Sequence, residues 1–187
     1  SKKNKPSQKA YAVVTGAGSG IGRSFALELA KRGGDVICAD IELSSAQETV
    51  DLIQSMTSSS AYAVHCDVGL KESVHALAEQ SEQLLGHPVT LLINNAGVGL
   101  GGKFDEVSLE DWQWCMHVNL WGVIHGCHYF VPKFKQQGFG AIINVASAAG
   151  YTAAPEMTAY NVTKSSVLAL SETLASELQA YNIAVNV

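Results

Sequence analysis

Tyr160 and Lys164 are spaced so that they can share one reaction. Residues four apart on a helix project from one face, so a phenol and an ammonium can address a single point there. A phenol ordinarily holds its proton up to about pH 10, and an ammonium close by favours the phenolate. Such a pair can give and take a proton, which is general acid–base chemistry. A Tyr-x-x-x-Lys is commonly no more than a surface pair, so its meaning depends on its company. Far upstream, Thr15-Gly16-Ala17-Gly18-Ser19-Gly20-Ile21-Gly22 supplies a glycine-rich turn. Glycine permits a tight turn, and without a Cβ the backbone can approach a pyrophosphate at a helix N-terminus. The strict Gly-x-Gly-x-x-Gly spacing is absent, because Ile21 and Arg23 stand where its last glycine would fall.

Asp40 follows the turn at about the 20-residue distance at which an acid accepts a hydrogen bond from a ribose 2′-hydroxyl. The alternative is that it merely caps the next turn. In the first case it also selects a cofactor. A carboxylate about 4 Å from a 2′-phosphate is repelled by about 4 kcal/mol per charge at an effective dielectric near 20. No Lys or Arg stands at Ser19, Ala39 or Ile41 to offset that repulsion, and Arg23 points along the first helix. The expected cofactor is therefore NAD rather than NADP.

The elements that must position these residues alternate between short β-branched runs and longer amphipathic stretches, the pattern of βαβ units around a parallel sheet. Strands are expected at 12–14, 36–39, 62–66, 89–93, 141–145 and from 183 to 187. Helices are expected at 21–31, from a cap at Ser44 or Ser45 towards Met56, at 71–85 and at 158–180. Ser108 with Asp111 opens a further long helical region, which Pro132 should bend or interrupt late. The fold class is thus α/β, a single doubly wound parallel sheet of Rossmann type in three α/β/α layers, with ligands at the carboxyl ends of the strands.

Composition agrees with one globular domain. The chain has 187 residues, 47% hydrophobic and 16% charged, and its net charge of −5 speaks against nucleic-acid binding as the main activity. Residues 1–9 read as a flexible, lysine-bearing tail and 10–187 as the domain. No secretory signal and no apolar run long enough to span a bilayer is present, so a cytoplasmic, non-membrane protein is expected. Cys38, Cys66, Cys115 and Cys127 lie inside apolar segments and read as buried free thiols. His125 and His128 lie one helical turn apart without a Cys or carboxylate at ligand spacing, so no metal site is expected. Trp112, Trp114 and Trp121, at helical spacings, read as core or subunit packing.

Taken together with Asp67-Val68, Asn94-Asn95-Ala96-Gly97, Asn119 and Ser147, in that order, these motifs make the chain resemble the short-chain dehydrogenase/reductase family in its single-domain, non-extended branch. The resemblance covers nearly the whole chain. It implies that Gly16, Ser19, Gly20, Ile21 and Gly22 hold the cofactor's pyrophosphate, and that Asp67, with Val68 packed nearby, bonds the adenine. Asn94, Ala96 and Gly97 would support the central strand and line the cofactor's ribose. Tyr160 would be general base for alcohol oxidation and general acid for the reverse reduction. Lys164 would support it and hold the nicotinamide ribose, Ser147 would orient the substrate oxygen, and Asn119 would hold a water linking Lys164 to solvent.

The resemblance also implies a homo-oligomer, tetramer or dimer, packed through the helices around 112–134 and 158–180. The family normally continues beyond the equivalent of Val187 with a substrate-covering lid and a last strand. Residues 98–102, 148–151 and 155–157, mostly apolar or small, would border the substrate, which favours a lipophilic secondary alcohol or ketone. Two alternatives stand beside this: an NADPH-dependent 3-oxoacyl-thioester reductase, and a non-catalytic NAD-binding sensor or scaffold.

Overall fold

The central strands are short apolar runs because both of their faces are covered by helices. The computed structural model describes residues 5–187, the side chain of Ala149 excepted. The elements are β1 (Tyr11–Thr15), α1 (Gly20–Lys31), β2 (Asp35–Asp40), α2 (Leu43–Met56), β3 (Ala61–His65), α3 (Lys71–Leu85) and β4 (Leu91–Asn94). They continue with α4 (Leu109–Met116), α5 (Gly122–Gln137), β5 (Gly140–Asn144), α6 (Thr158–Leu178) and β6 (Ile183–Asn186). The strands pair in parallel in the order β3-β2-β1-β4-β5-β6. The chain winds outward from β1 to β3 and then returns to β4 on the other side of β1. That reversal leaves a crevice at the carboxyl ends of β1 and β4, where ligands of such sheets bind.

Alternation along each strand divides the core in two. Val13, Ile37, Leu92 and Ile142 face α3, α5 and α6, where Leu77, Phe130, Phe134 and Val167 are fully or almost fully buried. Ala12, Val14, Val36, Cys38, Leu91 and Ile93 face α1 and α2, against Ala26, Leu29, Val50 and Ile53. All four cysteines are buried and free. Burial pushes the Cys38 thiol up to about 12 and those of Cys66 and Cys127 up to about 11.

Three local features depart from the sequence reading. α2 begins before Ser44 and Ser45, with Glu42 in the capping position. The Glu42 N–H is met from outside the helix by Asp40 Oδ1 at 3.0 Å, and no side chain caps the first-turn amides. Pro132 lies inside α5 without ending it, whereas the break between α4 and α5 comes earlier, as a π-helical turn at His117–Trp121. The Ser108 cap is as expected, accepting from Asp111 N at 3.0 Å. The expected tail, 1–9, falls partly outside the described residues. In its described part, Lys9 N donates to Arg32 O at 3.2 Å and Arg32 Nη1 donates to Ser7 Oγ at 2.9 Å, which ties it to the end of α1.

Candidate active site

A cavity of about 490 Å³ opens at the carboxyl ends of the strands, walled by Gly16, Ser19, Gly20 and Ile21 on one side and by Ala96, Gly97 and Val98 on another. Asp40, Asp67 and Val68 complete its wall with Asn95, Ile41, Cys66, Trp114 and Val118. A larger hollow of about 860 Å³ lies beside β6, between Lys5, Phe139 and Val185, and holds none of the candidate residues.

The glycine turn is shaped by what side chains cannot do there. Gly16 and Gly20 carry φ of 64° and 53°, the left-handed region that favours glycine. A Cβ on Gly16 would lie 2.9 Å from Ala96 Cα, and one on Gly22 would overlap Gly16 O and Asn95 Nδ2. Gly22 is thus a packing residue that lets α1 approach β4. The turn is also stitched to the end of β4. Thr15 Oγ1 accepts from Asn95 N at 3.0 Å and Ala96 N at 3.1 Å, while Asn95 Nδ2 donates to Thr15 O at 3.1 Å.

Asp40 caps the turn and also faces the cavity. Its Oδ1 caps the turn at Glu42 N, and its Oδ2 accepts from Gly18 N at 2.8 Å, which fixes the carboxylate in the cavity wall. Asp67 Oδ1 accepts from Gly69 N at 2.9 Å, and Val68 O bonds His125 Nδ1 at 2.8 Å. The wall therefore offers the unpaired amides of a helix first turn for a pyrophosphate and carboxylates for hydroxyl and amino groups. Those donors and acceptors fit a dinucleotide. Asn94 departs from the expectation. It is 3% exposed, its Nδ2 donates to Asn144 Oδ1 at 2.9 Å, and a Cβ on Gly126 would overlap its Oδ1. It supports the strands from between the sheet and α5 and does not face the cavity.

Next to Gly97, Lys164, Asn119 and Tyr160 come together. Lys164, on α6, is 5% exposed, and its Nζ donates to Val145 O at 3.3 Å and lies 5.7 Å from the Tyr160 ring centroid. No Asp or Glu among the described residues pairs with it. Burial pushes its ammonium below the usual lysine value, opposed by the nearby Cys115. A Cβ on Gly97 would lie 3.4 Å from Lys164 Nζ and 3.3 Å from Asn119 Oδ1, so these three groups adjoin.

Asn119, in the π-helical turn, clamps the loop after β4. Its Oδ1 accepts from Val98 N at 2.7 Å, and its Nδ2 donates to Val98 O at 2.8 Å and to Thr163 Oγ1 at 3.3 Å. Thr163 Oγ1 in turn donates to Tyr160 O at 2.8 Å. The expected solvent relay through Asn119 would have to use atoms other than this doubly engaged amide. Ser147 follows Val145 beyond the end of β5, and its carbonyl accepts from Gly150 N at 2.8 Å.

Two of the segments expected to border a substrate, 98–102 and 155–157, also meet. Gly102 N donates to Glu156 O at 2.8 Å, and a Cβ on Gly101 would lie 3.3 Å from Met157 Sδ. The sequence reading missed Thr15, Asn95, Thr163 and Trp114. The first three lie inside or beside motifs already singled out. Trp114, one helical turn before Val118 and read as core or subunit packing, is 48% exposed and walls the cavity. Trp121, at 46% exposure, is likewise no core residue.

Known proteins show the same arrangement of sequence and fold. A family model described as short chain dehydrogenase matches residues 10–187. An uncharacterized oxidoreductase of Thermotoga maritima is 37% identical over 93% of this chain and 68% of its own length. A cyclohexanol dehydrogenase of an Acinetobacter species is 37% identical over 94% of this chain and 69% of its own. The crystal structure of a short chain dehydrogenase/reductase from Burkholderia phymatum in complex with NAD superposes with a TM-score of 0.92 at 38% identity. That match covers 96% of this chain and 64% of the Burkholderia chain, so the present chain spans about two thirds of these proteins. With a parallel sheet in this order, a glycine turn at its crevice and Tyr160 beside Lys164 at the same crevice, the chain belongs to the short-chain dehydrogenase/reductase family of oxidoreductases.

Proposed function

We propose that residues 10–187 form the nucleotide-binding and catalytic domain of an NAD-dependent oxidoreductase that interconverts a secondary alcohol and a ketone. The observation that carries this reading is the buried, carboxylate-free Lys164 next to Tyr160, adjoining the cavity wall at Gly97. A nicotinamide cofactor held by these residues would supply the hydride chemistry.

The chain's own residues do the rest. The first-turn amides of α1 hold the pyrophosphate, with Gly16, Ser19, Gly20 and Ile21 in the wall and Gly22 keeping α1 close. Asp40 accepts from the ribose 2′-hydroxyl and repels a 2′-phosphate, and Asp67 with Val68 receives the adenine. Ala96 and Gly97 line the ribose. Ser147 holds the substrate oxygen, and Tyr160 takes the hydroxyl proton in oxidation and returns it in reduction. Lys164 favours the phenolate through its charge and holds the nicotinamide ribose. Asn119 keeps Val98 and Thr163 in register around Lys164.

NAD bound to the Burkholderia protein and the cyclohexanol named for the Acinetobacter enzyme support the cofactor and a lipophilic, cyclic or branched alcohol. The small residue Gly101 beside Met157 at the substrate end also supports such an alcohol. Exposed Leu109, Trp114 and Trp121 on α4 and the turn after it support a homo-oligomer, dimer or tetramer. We place the protein in the cytoplasm; no helix of the described residues is long and apolar enough to cross a membrane.

Calorimetric titration of the full-length protein with NADH and NADPH, followed by a screen of secondary alcohols, tests this reading. Tighter NADH binding and NAD-dependent oxidation are expected. Tighter NADPH binding would favour a 3-oxoacyl-thioester reductase instead. Binding without turnover of any alcohol or ketone would favour a non-catalytic NAD-binding protein.

A further inference from the structure

We infer that Arg23 and Thr49, neither of which lines the cavity, position the glycine turn and thereby set the protein's affinity for NAD and its discrimination against NADP. The inference rests on the reading above that the turn holds a dinucleotide. Ala17 and Gly18 form the inner bend of the turn, and all four of their backbone polar groups are fixed. Ala17 N donates to Ala39 O at 3.0 Å, and Gly18 N donates to Asp40 Oδ2 at 2.8 Å. The two carbonyls are held by side chains. Thr49 Oγ1 donates to Ala17 O at 2.7 Å, and Arg23 Nη2 donates to Gly18 O at 2.5 Å.

The two side chains are also joined to each other. Arg23 Nε donates to Thr49 Oγ1 at 2.9 Å, so the hydroxyl spends its one proton on Ala17 and accepts from the guanidinium. Arg23 Nη2 reaches Glu48 Oε2 at 3.1 Å and Ser45 O at 3.4 Å. Thr49 is fully buried, whereas Glu48 is 68% exposed. The exposed ion pair therefore contributes little by itself, but it fixes the direction of the guanidinium. α1, α2 and the turn are locked through a single hydroxyl.

Two consequences follow for the cofactor. The turn is held rigid before a ligand arrives, so binding does not have to order it. The same lock keeps Gly18 N–H aimed at Asp40, which holds the carboxylate where it meets the 2′ position. Arg23, the cation nearest to the turn in sequence, is committed to Gly18, Thr49 and Glu48 and supplies no counter-charge for a 2′-phosphate.

The test compares Thr49→Val, Thr49→Ser and Arg23→Met in the full-length protein by NADH and NADPH calorimetry, by kcat at saturating cofactor and by melting temperature. Loss of a positioning hydrogen bond worth roughly 1 kcal/mol predicts that Thr49→Val weakens NADH binding about five- to tenfold. Its kcat at saturation should stay within about twofold, and Thr49→Ser should bind NADH like the parent. Arg23→Met should weaken NADH in the same way and narrow the NADH/NADPH ratio.

If Thr49→Ser weakens binding and Thr49→Val does not, Thr49 only fills space and the inference falls. If Arg23→Met lowers NADPH affinity alone, Arg23 is a phosphate ligand and the inference falls as well. Should Arg23→Met fail to fold, the two Thr49 variants decide alone. Parent protein that binds neither dinucleotide would overturn the cofactor reading, and this inference with it; a parent that binds NADH with unaffected variants overturns the inference only.

Discussion

Lys164→Met should make the protein more stable and nearly inactive. Lys164 keeps an ammonium in an environment where, among the described residues, Val145 O at 3.3 Å is the acceptor found for it and no carboxylate pairs with it. A buried donor left short of partners costs about 1–3 kcal/mol, more when charged. Methionine has similar length and no charge. Its gain should exceed the roughly 1 kcal/mol lost with one hydrogen bond, leaving a net stabilisation of about 1–2 kcal/mol. For a domain of this size that raises the melting temperature by about 2–8 °C.

The pH dependence has a definite sign. Burial lowers the folded-state ammonium below 10.5, so near that pH the unfolded chain binds more protons than the folded one. The parent must therefore gain stability as pH rises through the folded value towards 10.5, and the gap to Lys164→Met must close there. Calorimetric scans of both proteins without cofactor, from neutral to alkaline pH, measure this. Turnover should fall about 10²–10⁴-fold, the usual worth of positioned acid–base catalysis. A variant that melts below the parent, or a gap that does not change with pH, would refute the description of Lys164 as a buried, under-partnered cation.

Gly22→Ala should abolish NADH binding and lower stability by about 1–3 kcal/mol, because its Cβ overlaps Gly16 O and Asn95 Nδ2; calorimetry and thermal melts report both effects. Asp40→Ser should weaken NADH and strengthen NADPH, since a repulsion of up to about 4 kcal/mol per charge disappears; the ratio of the two dissociation constants is the readout. Lys133→Met should destabilise the α3–α5 contact at neutral pH, where Lys133 Nζ lies 2.8 Å from Glu79 and 3.4 Å from Glu82. Its hydrogen bond to Lys133 holds Glu79 below 4.5, and against the cost of its own burial Lys133 is held above 10.5. The difference from the parent should thus shrink as pH falls through the Glu79 value, and vanish as it rises through that of Lys133, in denaturant melts.

The elements were legible where periodicity was unambiguous. The αL glycine Gly86 ends α3 at Leu85, as the sequence indicates, and every strand lies within a residue or two of its apolar run. The errors came from hydrogen bonds that sequence spacing cannot show. Ser44 and Ser45 looked like caps because nothing in the sequence says that the helix already starts at Leu43, after an Asp40–Glu42 turn. Pro132 looked like the break in the long helical region, but the break belongs to the turn holding Asn119, whose amide bonds both Val98 N and Val98 O. At the site, the glycine turn, Asp40 and the Tyr160–Lys164 pair were readable because each motif confines its residues to one turn or one helix face. The places of Trp114, Asn95 and Thr163 in the site were not, since they depend on how β4, α4 and α6 converge.

Replacement of Tyr160 by Phe tests the central claim most directly, because it removes one hydroxyl and leaves the ring beside Lys164. The measurement is steady-state oxidation of the best secondary alcohol by full-length Tyr160→Phe and parent, with NADH affinity determined on the same samples. The account predicts turnover lower by about 10²–10⁴-fold with NADH affinity unchanged within about twofold. Turnover equal to that of the parent, with cofactor still bound, would contradict it and remove Tyr160 from the chemistry.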